Sequence, residues 1–189
     1  MDKKLKAISA NIEGLFVITP NIFSDDRGTF SRVYCQYELE SITKILIRQV
    51  NHSTTKKKGT VRGLHFQYGP NAEAKMVKCI KGSVFDVVVD IRKGSPTFLE
   101  SFTIELTVAN QKMIYIPKGF AHGFQTLEDN TELLYFHSNV YAPENETALN
   151  VKDPQLDIQW PLEIMNLSKR DSEHKFLDDG FEGIKVYEL

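Results

Sequence analysis

The run "VFDVVVDIR" (84–92) constrains the fold more than any other stretch of the chain. Phe85, Val87, Val89 and Ile91 fall on one face of an extended backbone, and Asp86, Val88, Asp90 and Arg92 fall on the other. This period of two predicts a two-faced β-strand. Shorter β-rich runs recur after residue 44 at "ILIRQV" (45–50), "KMVKCI" (75–80), "FTIEL" (102–106), "MIYIP" (113–117) and "ELLYFHSNVY" (132–141). Turns rich in Gly, Pro, Asn and Lys separate them, a spacing that predicts an all-β sandwich or barrel, with a jelly roll the natural candidate. Short peripheral helices are expected at "CQYELESI" (35–42) and between Ser168 and His174. The segment after Trp160 and Pro161 lacks alternation and is expected to wrap the barrel. A chain of 189 residues that is 41% hydrophobic suffices for one buried core, so residues 1–189 are read as a single domain.

Charge and cysteine usage exclude several classes of function. A net charge of −2 gives no global attraction to nucleic acid or to an anionic membrane, and Lys56-Lys57-Lys58 reads as a solvated turn. The chain begins Met-Asp-Lys-Lys and has only the short apolar run "LFVI" near its start, which is neither an export signal nor a membrane span. A cytoplasmic protein with reduced Cys35 and Cys79 is therefore expected.

The polar residues on these strands point to a site. Gly63, His65 and Gln67 share one strand face, and Tyr135, His137, Asn139 and Tyr141 share another. If both faces line a barrel mouth, imidazoles and phenols converge there. The turn "PKGFAHGF" (117–124) delivers His122 and resembles the second motif of the cupin barrels. Gln67 stands where metal-binding cupins place a second histidine, and Glu73 lies two residues beyond the usual carboxylate. No metal and no other cofactor is expected, with a His/Glu/His site as the alternative.

Quoted in order, "DDRGTF", "RQVNHS", "KKGTVRGLHFQ", "AKMVKCIKGSVFDVVVDIRKGSPTF", "YIPKGFAHGF", "LLYFHSNVYAPENE", "DPQLDIQWP" and "LSKRD" resemble the dTDP-4-dehydrorhamnose 3,5-epimerase family, from about residue 14 to 172. The resemblance implies a cupin-like jelly roll that binds a nucleotide-linked 4-keto-6-deoxy sugar and inverts carbons beside the ketone. Such chemistry needs a base, an acid on the opposite face of the ring, and a cation near the enolate oxygen.

The resemblance makes His65 the base and Asp171 the carboxylate that orients it, with Asp86 and Asp90 as substitute partners or as barrel carboxylates paired with Arg92. Lys75 becomes the enolate-binding cation and Tyr135 the acid, with Tyr141 stacking at the border of the site. Gln49, Asn51, Arg62 and His122 are implied to line the sugar and diphosphate. Arg27 and Phe30 are implied to reach across a homodimer into the neighbouring subunit's site.

Two positions depart from the family pattern. Arg32 in "RGTFSR" replaces a carboxylate, and "NVKDP" lacks a usual Trp. Arg32 is left to read an extra group on the sugar or to face water. Besides 3,5-epimerisation, the sequence leaves open a C3-only or C5-only epimerase or ketoisomerase, a metal-dependent cupin enzyme and a catalytically silent sugar-binding cupin.

Overall fold

The computed structural model describes residues 3–44 and 46–186. Strands β1 (Leu5–Ser9), β2 (Phe16–Pro20), β5 (Gln49–Thr55), β7 (Lys75–Lys81), β10 (Met113–Ile116) and β12 (Thr131–His137) form a six-stranded sheet in the order β1-β2-β10-β7-β12-β5. Strands β6 (Val61–Gln67), β8 (Ser83–Asp90), β9 (Ser101–Thr107), β11 (Phe120–Thr126) and β13 (Glu146–Ala148) form a five-stranded sheet in the order β13-β6-β11-β8-β9. Strands β3 (Ile22–Asp25) and β4 (Gly28–Ser31) make a separate hairpin. Helices α1 (Gln36–Leu39) and α2 (Lys169–Glu173) lie at the periphery, within the two segments expected from the sequence. This is the cupin-like jelly roll.

Period-two alternation explains how one barrel holds both a dry core and a polar site. Val77 and Cys79 of β7, Leu133 of β12, Val84 and Val88 of β8, Leu106 of β9 and Phe124 of β11 pack together between the sheets. The same inward faces carry Lys75 and Tyr135 at the next inward positions of β7 and β12, while Asp86 sits between Val84 and Val88 and His122 between Phe120 and Phe124. Apolar packing fills the rest of the interior, where each fully buried Val or Leu contributes about 1.5–3 kcal/mol. Lys75 and Tyr135 mark the polar end of the six-stranded sheet.

Both sheets are also covered outside. Val87 and Val89 of β8 and Ile91 just beyond it pack with Val61, Leu64 and Phe66 of β6, against Trp160, Ile164, Leu167 and Phe181 of the C-terminal segment. The wrap expected after Trp160 is thus real. Trp160 meets Phe85 edge-on at 6.2 Å, and its indole Nε1 donates to the Val151 carbonyl at 2.9 Å. The six-stranded sheet is backed by Leu39, Val33 and Ile42 over Met76 and Met113.

Two strand expectations need correction. The run "ILIRQV" is not a strand along its length: β5 starts at Gln49, and Ile45 lies outside the described residues. As an edge strand paired only with β12, β5 needs no continuous apolar pattern. Strand β12 ends at His137, so Asn139 and Tyr141 lie in the following loop and do not share its face. Four strands precede residue 44, a stretch in which the sequence reading named no strand, and β1 to β4 are short.

Candidate functional site

A cavity of about 530 Å³ opens at the polar end of the barrel and is lined from both sheets. Its size suits a small-molecule ligand. From the five-stranded sheet come Arg62, His65, Gln67 and His122, and from the six-stranded sheet Gln49, Asn51, Ser53, Lys75, Tyr135 and His137. Glu73, Tyr141 and Glu146 complete the wall from the connecting segments and β13.

His65 sits opposite His122 where β6 pairs with β11, and the register shifts just beyond, between His122 and Phe124. Gly63 permits this approach. Its φ is +136°, and a Cβ there would lie 2.4 Å from Gly123 Cα, so a side chain would push the strands apart beside both imidazoles.

His65 Nε2 lies 2.9 Å from Asp171 Oδ1. Asp171 is brought in by α2, whose cap is Ser168: its side chain accepts from the Asp171 amide at 3.0 Å. Burial pushes the Asp171 carboxyl up, but the His65 hydrogen bond and charge, with the Gly63 amide and Ser168 hydroxyl, outweigh it and hold the carboxyl below the usual range. It is an anion poised to orient His65 and to stabilise its protonated form. The substitute partners are thereby excluded. Asp86 Oδ2 lies 2.9 Å from His122 Nε2. Asp90 is taken by Arg92, Ser95 and Thr97.

Lys75 is buried, not a surface lysine, and its Nζ pairs with Glu73 Oε1 at 3.0 Å. The other oxygen of Glu73, Oε2, meets His137 Nδ1 at 2.8 Å. The sequence reading weighed Glu73 only as a metal ligand and gave His137 no individual role. Burial pushes the Tyr135 phenol up strongly; the hydrogen bond from Ser53 at 3.5 Å opposes this, and the Asp86 charge adds to it. Tyr135 keeps its proton at neutral pH.

Gln67 is committed to the backbone, donating to the Asn71 and Val140 carbonyls and accepting from the Ala142 amide at 2.7 Å. Among the described residues no group of three or more His, Cys, Asp or Glu side chains is arranged to hold a metal ion.

Of the sequence-named binding residues, Gln49, Asn51, Arg62, His122 and Tyr141 reach the cavity wall. Gln49 accepts from the Tyr141 amide at 3.0 Å, and the Tyr141 hydroxyl donates to Glu146 at 3.0 Å, which fixes that ring at the rim. Arg27 and Phe30 do not line this cavity. They sit on the β3–β4 hairpin, where Arg27 pairs with Asp25 of its own turn. Arg32 pairs with Glu38 of α1 and does not line this cavity.

Comparison with known proteins bears on this geometry. Residues 9–179 match the family described as dTDP-4-dehydrorhamnose 3,5-epimerase. The dTDP-4-dehydrorhamnose 3,5-epimerase of Salmonella typhimurium is 41% identical over 174 residues, covering 90% of this chain and 94% of that protein. A Legionella pneumophila dTDP-6-deoxy-D-glucose-3,5-epimerase, solved in complex with dTDP-4-keto-L-rhamnose, superposes with a TM-score of 0.89 at 36% identity, covering 98% of this chain and 100% of that one. A 3′-monoepimerase from Streptomyces bikiniensis, solved with dTDP-quinovose, gives 0.83 at 33% identity over 88% of this chain and 85% of its own.

Proposed function

The chain belongs to the dTDP-4-dehydrorhamnose 3,5-epimerase family, and from that premise we propose that it epimerises a dTDP-linked 4-keto-6-deoxy sugar at C3 and C5, converting dTDP-4-dehydro-6-deoxyglucose to dTDP-4-dehydrorhamnose. The observation that carries this reading is the division of the site between facing sheets. His65, clamped by Asp171, approaches from the five-stranded sheet, while Lys75 and Tyr135 approach from the six-stranded sheet across one cavity.

In this reading His65 removes the proton from the carbon beside the ketone. The electron pair moves to the ketone oxygen, where the Lys75 ammonium stabilises the enolate by several kcal/mol, roughly, in a partly water-excluded site. Tyr135 then delivers a proton to the other face, and the carbon is inverted. The phenolate is reprotonated from solvent, and His65 releases its proton there. The reaction as written uses no metal or organic cofactor.

Gln49, Asn51, Arg62, His122 and Tyr141 hold the sugar nucleotide, the arginine fork suiting the diphosphate. We take residues 1–189 as one catalytic domain, a reading supported by α2 of the C-terminal segment reaching back to His65. A homodimer, in which Arg27 and Phe30 complete the partner's site, and a cytoplasmic location belong to the same proposal. Free Cys35 and Cys79 agree with a reducing compartment. Among the described residues no helix is long and apolar enough to cross a membrane.

The test is turnover of dTDP-4-dehydro-6-deoxyglucose in D2O, read by NMR. Deuterium at both C3 and C5 with formation of dTDP-4-dehydrorhamnose is expected. Label at C3 alone gives the second reading, which the similarity to a 3′-monoepimerase favours. No incorporation with this or related 4-keto sugar nucleotides overturns the epimerase reading.

A further inference from the structure

We propose that Glu73 is the positioning residue for Lys75, and that His137 braces Glu73, so that the cation beside the sugar ketone is held by a three-membered chain along the cavity wall. This rests on the reading that Lys75 faces the enolate. Lys75 opens β7 and lies directly across from His137, the last residue of β12. Glu73, in the loop before β7, bridges them: Oε1 is 3.0 Å from Lys75 Nζ, and Oε2 is 2.8 Å from His137 Nδ1. The side chains of Lys75, Glu73 and His137 are only 9%, 8% and 11% exposed.

The chain is itself anchored. The His137 ring stacks on Tyr135 with centroids 6.0 Å apart and planes at 19°, and its Nε2 is 3.5 Å from Asn51 Nδ2. A lysine is a point charge on a flexible four-carbon stem, so strand geometry alone does not fix its ammonium. A buried acceptor 3.0 Å away does. Burial works against the Glu73 anion, yet the His137 hydrogen bond and the Lys75 charge outweigh it and hold the carboxyl below its usual range. The carboxylate is thus ionised where it meets Lys75, and its second oxygen is bound to a residue packed on the acid. Misplacing a catalytic group by about 1 Å costs on the order of a hundredfold in rate, which is what this bridge prevents.

Positioning and counter-charge are separable by substitution. Glu73→Gln keeps an oxygen acceptor for Lys75 and a polar partner for His137 while removing the charge. Glu73→Asp keeps the charge but draws the carboxylate back from both neighbours. In steady-state assays with dTDP-4-dehydro-6-deoxyglucose, Glu73→Ala should lose roughly 10- to 100-fold in kcat with KM and calorimetric dTDP affinity nearly unchanged. Glu73→Asp should lose about tenfold, and Glu73→Gln, which keeps the acceptor and gives up the counter-charge, should lose less than Glu73→Asp. Wild-type kcat in Glu73→Asp, or equal losses in Glu73→Gln and Glu73→Asp, overturns the proposal even if Glu73→Ala does not fold.

The failure of the functional reading looks different. If the wild-type chain turns over no 4-keto sugar nucleotide, crystal structures of the Gln and Asp variants still decide the positioning claim. Lys75 Nζ displaced in Asp and unmoved in Gln supports it, and Nζ unmoved in both overturns it.

Discussion

Inversion beside a ketone needs two proton-transfer groups on opposite sides of a planar enolate, and in the proposed mechanism Tyr135 is the second of them. Its wall faces that of His65, and burial keeps its phenol protonated. A proton returned by His65 only restores the substrate. Tyr135→Phe keeps the ring that packs against His122 and His137 but deletes the donor. This variant should still wash solvent deuterium into the substrate while forming inverted product at least about a hundredfold more slowly, within the range that general acid catalysis contributes. NMR of a D2O reaction separates the two. Inversion at the wild-type rate would move the acid elsewhere, with Tyr141 next in line, and loss of exchange would mean that Tyr135 acts before the enolate forms.

At the scale of the element, α2 matters because a five-residue helix is held in place largely by what it delivers. Asp171 is buried against β6, and its folded carboxyl is held below the unfolded value. The sign follows from that depression: the clamp stabilises the fold fully above the unfolded value of about 3.9 and fades as pH falls through the folded value. Asp171→Asn should therefore cost about 1.5–3 kcal/mol at pH 7, the worth of a hydrogen bond to a charged group, and the gap to wild type should shrink toward pH 3. Urea unfolding across that range reads it, and a gap that does not shrink on acidification would show that the clamp is not ionic.

The same element shows what the sequence could carry. Strand β8 was legible because its alternation is local, whereas Asp171 meets His65 across 106 positions and was reachable only through the resemblance. Glu73 had no periodic context in its loop, and its role depends on the cross-strand register of His137 with Lys75. Its position before an apolar strand did not exclude a surface site for Lys75, which is settled as buried once β7 lies between β10 and β12.

For the whole molecule, the question is what the β3–β4 hairpin is for. It pairs with neither large sheet, and it holds out Phe30 at 71% exposure and an Arg27 side chain at 89%. Phe30 contributes nothing to packing from that position, and an aromatic beside a guanidinium is the pair of residue types that grips a base and a phosphate. In the proposed dimer the hairpin completes the partner's cavity. Arg27→Ala should then raise KM about tenfold or more with kcat little changed, since a phosphate contact is made equally in ground and transition states. His65→Ala should abolish turnover. Co-expressed and purified as a verified heterodimer, the two variants should regain activity, because one of the two sites then combines an intact His65 from one subunit with an intact Arg27 from the other. A heterodimer with no more activity at limiting substrate than the Arg27→Ala subunit alone would place Arg27 outside the partner's site, and a monomer at micromolar concentration in light scattering would remove the shared site altogether.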